Sequence, residues 1–212
     1  MDALLSEFGL DTSEFGVFLD SVGGFIAGSA SLHAFAPFKN DEKPNDIDVW
    51  IPIAGFIAQE SSDKYDKFVP NDQIATCKVA VFGYMTATGF TRNMINTNPQ
   101  QKEKMATYFN ERQSCKFIKA IMTFVKNGKS VQFMLTDDMS QNDILASFDL
   151  TICQIAWKPA IGFIPLNAAV LQDIEDRKYN LVQTKEMLAA GPAADRLLDR
   201  LEKYMERGFL PR

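Results

Sequence analysis

Residues 46–52 are Asp-Ile-Asp-Val-Trp-Ile-Pro, and the prediction of the fold starts here. Polar and apolar side chains alternate over residues 46–51, as is typical of a half-buried β-strand that ends at Pro52. Residues two positions apart in a strand share a face, so the carboxylates of Asp46 and Asp48 project together. The pair can hold one or two divalent cations, which offset the repulsion between the two charges. The alternative is that Asp-x-Asp is merely the polar face of an edge strand.

An apolar run upstream ends in glycine and serine. Phe25-Ile26-Ala27 predicts a short strand that leads into Gly28 and Ser29, after which residues 30–35 favour a helix. Backbone N–H groups at a helix start, together with the positive end of the helix dipole, favour a phosphate. Glycine permits close approach and serine adds a hydroxyl donor. The alternative is a tight turn with a capping serine.

A third acid, Asp149, interrupts an apolar run later in the chain. Residues 148–157 predict a buried strand, in which a carboxylate is costly unless it is paired or bound to a metal. Alternatively, Asp149 lies at an exposed strand edge or caps the preceding helix. If the strand lies elsewhere, three other acids are candidates for the same role: Asp137, Asp138 and Asp143.

Taken in order, these motifs resemble the nucleotidyltransferase superfamily with the DNA polymerase β-like catalytic core. The pattern of that superfamily is an apolar residue with Gly and then Gly or Ser, a spacer, Asp-apolar-Asp, and a third acid on a neighbouring strand. The resemblance covers residues 25–51 and 148–157, the C-terminal helix loosely, and residues 53–115 not at all. Three segments look most like uncharacterised nucleotidyltransferase-like proteins of large DNA viruses and phages: residues 27–32, 148–151 and 201–209.

The resemblance implies an α+β (α/β) fold. A mixed β-sheet nucleotidyltransferase core would be flanked by helices and followed by a C-terminal helical extension. The core would span residues 1–157 with an insertion around residues 53–115, and the extension, packed on the core, would span residues 158–212.

The resemblance also implies two-metal nucleotidyl transfer from a nucleoside triphosphate (NTP) to a hydroxyl acceptor, with Mg²⁺ or Mn²⁺ as cofactor. Asp46 and Asp48 would bridge both ions, and Asp149 would mainly bind the ion that activates the acceptor. Gly28 and Ser29 would hold the β- and γ-phosphates. The acceptor would be RNA, a protein or a small molecule. Four basic side chains either add countercharge or lie on the solvated surface: Lys39, Lys43, Lys203 and Arg207.

Periodicity and turn residues predict the elements between these motifs. Residues 3–22 favour one amphipathic helix or two short ones, broken near Gly9, and residues 77–82 favour a short strand. Asn127-Gly128, the preferred dipeptide of a type I′ turn, joins two β-prone runs into a hairpin. These runs are residues 116–124 and 131–135.

Two further helices are predicted towards the C-terminal end. Thr136-Asp137-Asp138 would provide the N-cap and acidic first turn of a helix over residues 139–146. Pro192 is placed at the first position of a last helix, which stops at Gly208. The apolar stripe of that helix consists of Leu197, Leu198, Leu201, Tyr204 and Met205.

The composition is typical of a folded globular protein, with 46% hydrophobic and 23% charged residues. The net charge of −5 does not by itself indicate a nucleic-acid partner, although a local basic groove is compatible with it. Cys77, Cys115 and Cys153 lack Cys-x-x-Cys spacing and predict neither a disulfide framework nor a structural zinc site. The cysteine pattern predicts a reducing location, and the resemblance implies a virus- or phage-derived protein. We expect a cytoplasmic protein without a membrane partner, since neither a basic leader nor an apolar run of about 20 residues is present.

Three functions are compatible with these features. The first is an active nucleotidyltransferase; the second is a catalytically inactive protein of the same fold that serves as a nucleotide-binding or protein-interaction and assembly module. The third, a template-dependent polymerase, is disfavoured by the acidic net charge and by the short chain left for DNA-clamping domains. His33 lies one turn after Ser29, a position more typical of a residue that satisfies a nearby polar group than of a catalyst.

Overall fold

The computed structural model describes residues 1–53, 70–93, 117–136, 139–182 and 192–212. Its helices in these ranges are α1 (Asp2–Glu7), α2 (Thr12–Ser21), α3 (Ser29–Phe35), α4 (Pro70–Ala87), α5 (Gln141–Ala146), α6 (Ala168–Glu175) and α7 (Pro192–Glu206), with a 3₁₀ turn at Thr151–Cys153. The strands are β1 (Phe25–Ala27), β2 (Asp46–Pro52), β3 (Thr91–Arg92), β4 (Ile118–Lys126), β5 (Lys129–Thr136), β6 (Ile155–Lys158), β7 (Gly162–Pro165), β8 (Lys178–Tyr179) and β9 (Leu210–Pro211).

Strands β1 to β7 form one mixed sheet in the order β3-β4-β5-β2-β1-β6-β7. Strand β2 runs parallel to β5 and antiparallel to β1. The predicted α+β class, a mixed sheet flanked by helices, is confirmed. Because β2 has a strand on each side, the alternative that Asp46 and Asp48 belong to an edge strand is wrong.

The two faces of β2 differ in chemistry. Ile47, Val49 and Ile51 are fully buried in a large apolar cluster between the sheet and helices α1, α2 and α4. Each such side chain contributes about 1.5–3 kcal/mol on burial. A one-residue shift in register would bury the aspartates instead, so the register is strongly specified. The opposite face leaves Asp46 and Asp48 half-buried.

Helix α4 occupies the region where the sequence predicts a strand over residues 77–82, and that prediction is wrong. Cys77, Val81 and Met85 are fully buried at a spacing of four residues, whereas Val79 is exposed. This is the period of a helix packed through one face, not of a strand. The β-branched residues that favour a strand are accommodated because tertiary packing outweighs intrinsic propensity.

The predicted hairpin is confirmed. Lys126 pairs with Lys129 across Asn127-Gly128, and the turn residues have φ of 52° and 74°. Both are left-handed, as a type I′ turn requires. The two short helices near the start, the strand before Gly28 with its following helix, and the last helix are also formed.

The helix predicted over residues 139–146 is formed as α5, but its predicted cap and most of the next predicted strand are wrong. Thr136 is buried at the end of β5, and the cap of α5 is Ser140, which forms a capping box with Asp143. Of the strand predicted over residues 148–157, only β6 is formed, since Asp149 lies in a bend that leads into the 3₁₀ turn. An apolar run indicates burial, but it does not separate a strand from a buried turn. Asp137 and Asp138 lie outside the described residues.

The chain after residue 157 contains strands as well as helices. Strand β7 pairs with β6 and extends the main sheet, while β8 and β9 form a small parallel sheet. A second apolar cluster packs α6 and α7 against α3 and the 3₁₀ turn. The hairpin of β6 and β7 spans the expected boundary at residue 157, and the division into core and extension stays a prediction.

Arg207 lies in the interior and joins the end of α7 to the loop before β2. The side chain is 1% exposed, and its Nε and Nη2 donate to Glu42 Oε2 and Oε1 at 3.0 and 2.8 Å. The guanidinium carbon lies 4.2 Å from the ring centre of Phe38. Arg207 was expected on the solvated surface or as countercharge to phosphate, and neither expectation agrees with a buried guanidinium that pairs with the partly exposed Glu42.

Cys77 and Cys153 are free and buried, while Cys115 lies outside the described residues. Burial raises the pKa of the Cys77 thiol to about 12. Among the helices in the described ranges, none has the length and apolar character to cross a bilayer.

The Glu42–Arg207 pair predicts acid-sensitive stability. Hydrogen bonds from Arg207 lower the pKa of Glu42, so the pair stabilises the fold above the unfolded-state pKa and loses this contribution as pH falls through the lower folded pKa. We expect the free energy of unfolding, measured with urea, to fall less in E42Q than in wild type between about pH 5 and pH 3. E14Q, at an exposed position of α2, should follow wild type. Equal pH slopes in wild type and E42Q would contradict this account.

Candidate active site

Strand pairing brings Asp48 beside the glycine that follows β1. Ala27 pairs with Asp48, so Gly28 lies just beyond the strand end next to that carboxylate. Gly28 has a φ of 76°, a backbone angle that residues with a side chain rarely adopt. A Cβ added to Gly28 would lie 3.8 Å from Asp48 Oδ2. The Gly28-Ser29 turn and the Asp-x-Asp pair are thereby brought together at one end of the sheet.

Burial raises the pKa of Asp48 to about 7. The negative charge of Asp46, two residues away on the same face, acts in the same direction. Arg200 of α7 opposes both effects and lowers the pKa of Asp48. Two neighbouring carboxylates that are costly to ionise together form a place where added positive charge is stabilised.

The donor atoms of Asp46 and Asp48 fit a Mg²⁺ or Mn²⁺ ion, because these ions prefer carboxylate oxygens. The like-charge repulsion between them is what such an ion relieves. Within the part of the chain that the structure describes, no group of three or more His, Cys, Asp or Glu residues is arranged to hold a metal. The described site therefore offers two carboxylates, whereas the resemblance implies three.

Asp149, the expected third acid, contacts a basic side chain. Its side chain is 5% exposed, and its Oδ2 lies 2.9 Å from Arg200 Nη1. An ion pair is one of the two ways in which a buried carboxylate avoids a large desolvation cost. Another candidate, Asp143, lies on the exposed surface and accepts a hydrogen bond from the Ser140 hydroxyl.

Polar side chains that sequence reasoning missed share the face of the aspartates. Asp46 pairs with Ser130 and Asp48 with Gln132 in the parallel ladder of β2 and β5. Gln132 in turn pairs with Thr123 of β4. The three residues are half-buried and form a polar strip beside the carboxylates. The alternation within β5 was visible in the sequence, but its pairing with β2 was not.

Arg200 was also missed as a site residue, because among the basic residues of the last helix only Lys203 and Arg207 were considered as countercharge to phosphate. Arg200 lies one turn before Tyr204, which is buried, so the two share a helix face. Its Nη2 lies 4.0 Å from Cys153 Sγ, and the Cys153 thiol donates to the Tyr204 hydroxyl at 3.1 Å. The spacing of four residues from an apolar-stripe position was the available signal.

The remaining candidates have other environments. Lys43 forms an exposed ion pair with Glu7 at 2.6 Å, and Lys39 and Lys203 are exposed. The backbone N–H of Phe38 donates to His33 Nδ1 at 3.5 Å. Burial, with a smaller contribution from the charge of Arg207, lowers the pKa of His33.

A family model described as Gad2, Gabija anti-defense 2 family protein, matches residues 2–177. The match covers more than half of the 212 residues and includes the Gly28-Ser29 turn, the Asp-x-Asp pair and Asp149. A comparison with curated proteins gives no match.

Solved structures of tRNA-processing enzymes share this fold. An apo-form tRNA-processing enzyme is 12% identical, with a TM-score of 0.54, over 98% of this chain and 44% of that chain. A tRNA nucleotidyltransferase with a primer tRNA and an ATP analog is 12% identical, with a TM-score of 0.54, over 93% of this chain and 46% of that chain. The CCA-adding enzyme of Bacillus stearothermophilus with CTP is 14% identical, with a TM-score of 0.54, over 100% of this chain and 42% of that chain. The chain spans less than half the length of each, and the similarity shows a nucleotidyltransferase-like fold.

Replacement of Asp46 tests the electrostatic coupling within the pair. In D46N the like charge is removed, so we expect the pKa of Asp48 to fall from about 7 and to stay above its usual value because burial is the larger cause. A ¹³C NMR titration of the aspartate carboxyl groups in metal-free protein measures this shift. D20N, at an exposed position of α2, is the control that should leave Asp48 unchanged. An unaltered pKa of Asp48 in D46N would show that the two carboxylates do not interact.

Proposed function

The chain belongs to the Gabija anti-defense 2 family, and from this premise we propose that it counters that defence as a metal-dependent nucleotidyltransferase. In this proposal it transfers a nucleoside monophosphate from an NTP to a hydroxyl group of RNA, a protein or a small molecule. The modified acceptor is a component on which the defence depends.

One arrangement carries the proposal. Asp46 and Asp48 share a face of an interior strand, and the Gly28-Ser29 turn lies next to Asp48. The similarity of fold to nucleotidyltransferases supports the same interpretation, and two of those structures hold an ATP analog or CTP. A nucleotide at this end of the sheet would meet both the turn and the carboxylates.

The reaction forms a bond between the acceptor hydroxyl oxygen and the α-phosphorus and breaks the bond from that phosphorus to the β-phosphate. Pyrophosphate leaves with the electron pair, and the hydroxyl proton passes to solvent. Asp46 and Asp48 would hold Mg²⁺ or Mn²⁺, which when bound supplies countercharge and acidifies the acceptor hydroxyl. Gly28 permits close approach of the β- and γ-phosphates, and Ser29 donates to them through its hydroxyl and backbone N–H.

A specific observation favours a second function. Asp149 is paired with Arg200, and the described residues bring two carboxylates together rather than three. A protein that retains the fold but not the transfer reaction would act as a nucleotide-binding or protein-interaction module. The two functions differ in whether Asp46 and Asp48 are needed for chemistry.

Transfer of label provides the direct test of the enzyme. Wild-type protein is incubated with each of the four α-³²P-labelled NTPs, Mg²⁺ or Mn²⁺, and RNA or cell extract as acceptor. We expect labelled product from wild type and D20N, and a decrease of about 100-fold or more in D46N/D48N because the carboxylates that would hold the metal are lost. Equal labelling by D46N/D48N would show that the activity does not arise at this site.

An assay in cells links the site to the anti-defense role. Bacteria that carry the Gabija defence are challenged with a sensitive phage while they express wild type, D20N or D46N/D48N at matched levels. We expect phage plating to be restored by wild type and D20N but not by D46N/D48N, since the proposed role requires transfer. Full restoration by D46N/D48N would support the non-enzymatic module instead.

A further inference from the structure

Asp149 holds Arg200 in a defined position. Asp149 Oδ2 lies 2.9 Å from Arg200 Nη1, and the two side chains are 5% and 33% exposed. Arg200 Nη2 also approaches Cys153 Sγ at 4.0 Å. The buried carboxylate of Asp149 orients the guanidinium. Because Arg200 is partly exposed, part of its side chain remains accessible to a ligand.

The strand register places this pair at the end of the sheet where Gly28 and Asp48 meet. Ala27 pairs with Asp48 on one side and with Ala156 on the other. Since β6 runs antiparallel to β1, the residues that precede Ala156, among them Cys153, lie at the end where β1 passes into Gly28. Helix α3 also contacts the 3₁₀ turn there. Arg200, which approaches Cys153, therefore lies near the end of the sheet that the nucleotide would occupy.

The guanidinium of Arg200, which lies 4.0 Å from Cys153 Sγ, brings a positive charge to this end of the sheet. A guanidinium presents N–H donors in a planar fork that matches phosphate oxygens. A triphosphate would bring several negative charges next to two carboxylates. Arg200 is placed to offset part of that repulsion.

We propose that Arg200 binds the triphosphate of the incoming nucleotide and that Asp149 is a positioning residue for Arg200 rather than a metal ligand. This inference rests on the proposed function, because it requires an NTP at the Gly28 end of the sheet. It gives Asp149 a role that accounts for both its burial and its ion pair.

Separate measurements of metal and phosphate binding test the inference. Mn²⁺ binding is followed by electron paramagnetic resonance, and binding of NTP, inorganic tripolyphosphate and a short RNA by calorimetry with Mg²⁺. The variants are R200M, R200K, D149N and D149N/R200M, with D48N as the metal-site comparison. R200K keeps the charge but loses the planar fork.

We expect Mn²⁺ affinity in R200M and D149N to stay within about twofold of wild type, while D48N loses it. Affinity for NTP and tripolyphosphate should fall by about tenfold or more in R200M, as for other hydrogen bonds to charged groups, and by less in D149N. The loss in D149N/R200M should equal that in R200M alone because Asp149 acts through Arg200. R200K should not restore wild-type affinity.

Several results would overturn the inference. Loss of Mn²⁺ binding in D149N to the extent seen in D48N would make Asp149 a metal ligand. Unchanged tripolyphosphate affinity in folded R200M would leave the pair with a structural role alone, and a loss confined to RNA would assign Arg200 to the acceptor.

Folding is monitored by circular dichroism. Should R200M be unstable because it leaves Asp149 unpaired, D149N/R200M provides the test without a buried uncompensated charge. Wild-type protein that binds neither NTP nor tripolyphosphate would contradict the proposed function itself. Transfer by wild type with unaltered nucleotide affinity in R200M and D149N/R200M would contradict this inference alone.

Discussion

Repulsion between Asp46 and Asp48 is sustained because the opposite face of the same strand is fully buried. Ile47, Val49 and Ile51 pack under helices α1, α2 and α4. A shift of β2 by one residue in register would turn Asp46 and Asp48 into this apolar core. The free energy of the core thus holds two like charges side by side. Burial is the main cause of the raised pKa of Asp48, and the neighbouring charge of Asp46 adds to it. The same constraint makes the pair suited to bind a cation.

Arginines of the C-terminal helix connect that helix to the site and its surroundings. Arg207 binds Glu42 in the loop before β2, while Arg200 binds Asp149 after α5. Asp149 would be poorly placed without a partner, since a buried unpaired carboxylate costs several kcal/mol. In the other pair the buried member is the guanidinium of Arg207, whereas the side chain of Glu42 is 34% exposed. Helix α7 therefore takes part in shaping the end of the sheet where Gly28 meets Asp48.

The fold and the family give complementary information about function. The fold is shared with tRNA-processing nucleotidyltransferases at 12–14% identity, and this chain is less than half as long as those proteins. The family is defined by opposition to a defence. Two carboxylates on an interior strand beside a glycine turn are compatible with both descriptions, because one fold can carry different functions when the surrounding elements change.

Elements with local sequence patterns were predictable from the sequence. The alternation in β2, the glycine after β1, the Asn-Gly turn and the amphipathic stripe of α7 each depend on neighbours a few residues apart. The position of Asp149, the helix over residues 77–82 and the polar strip of Ser130, Gln132 and Thr123 depended on which elements pack or pair. Tertiary structure alone decided these, because burial favours an apolar run in a strand, a helix or a turn alike, and long-range contacts select among them. For the same reason the partner of Asp149 is Arg200, which lies 51 residues further along the chain.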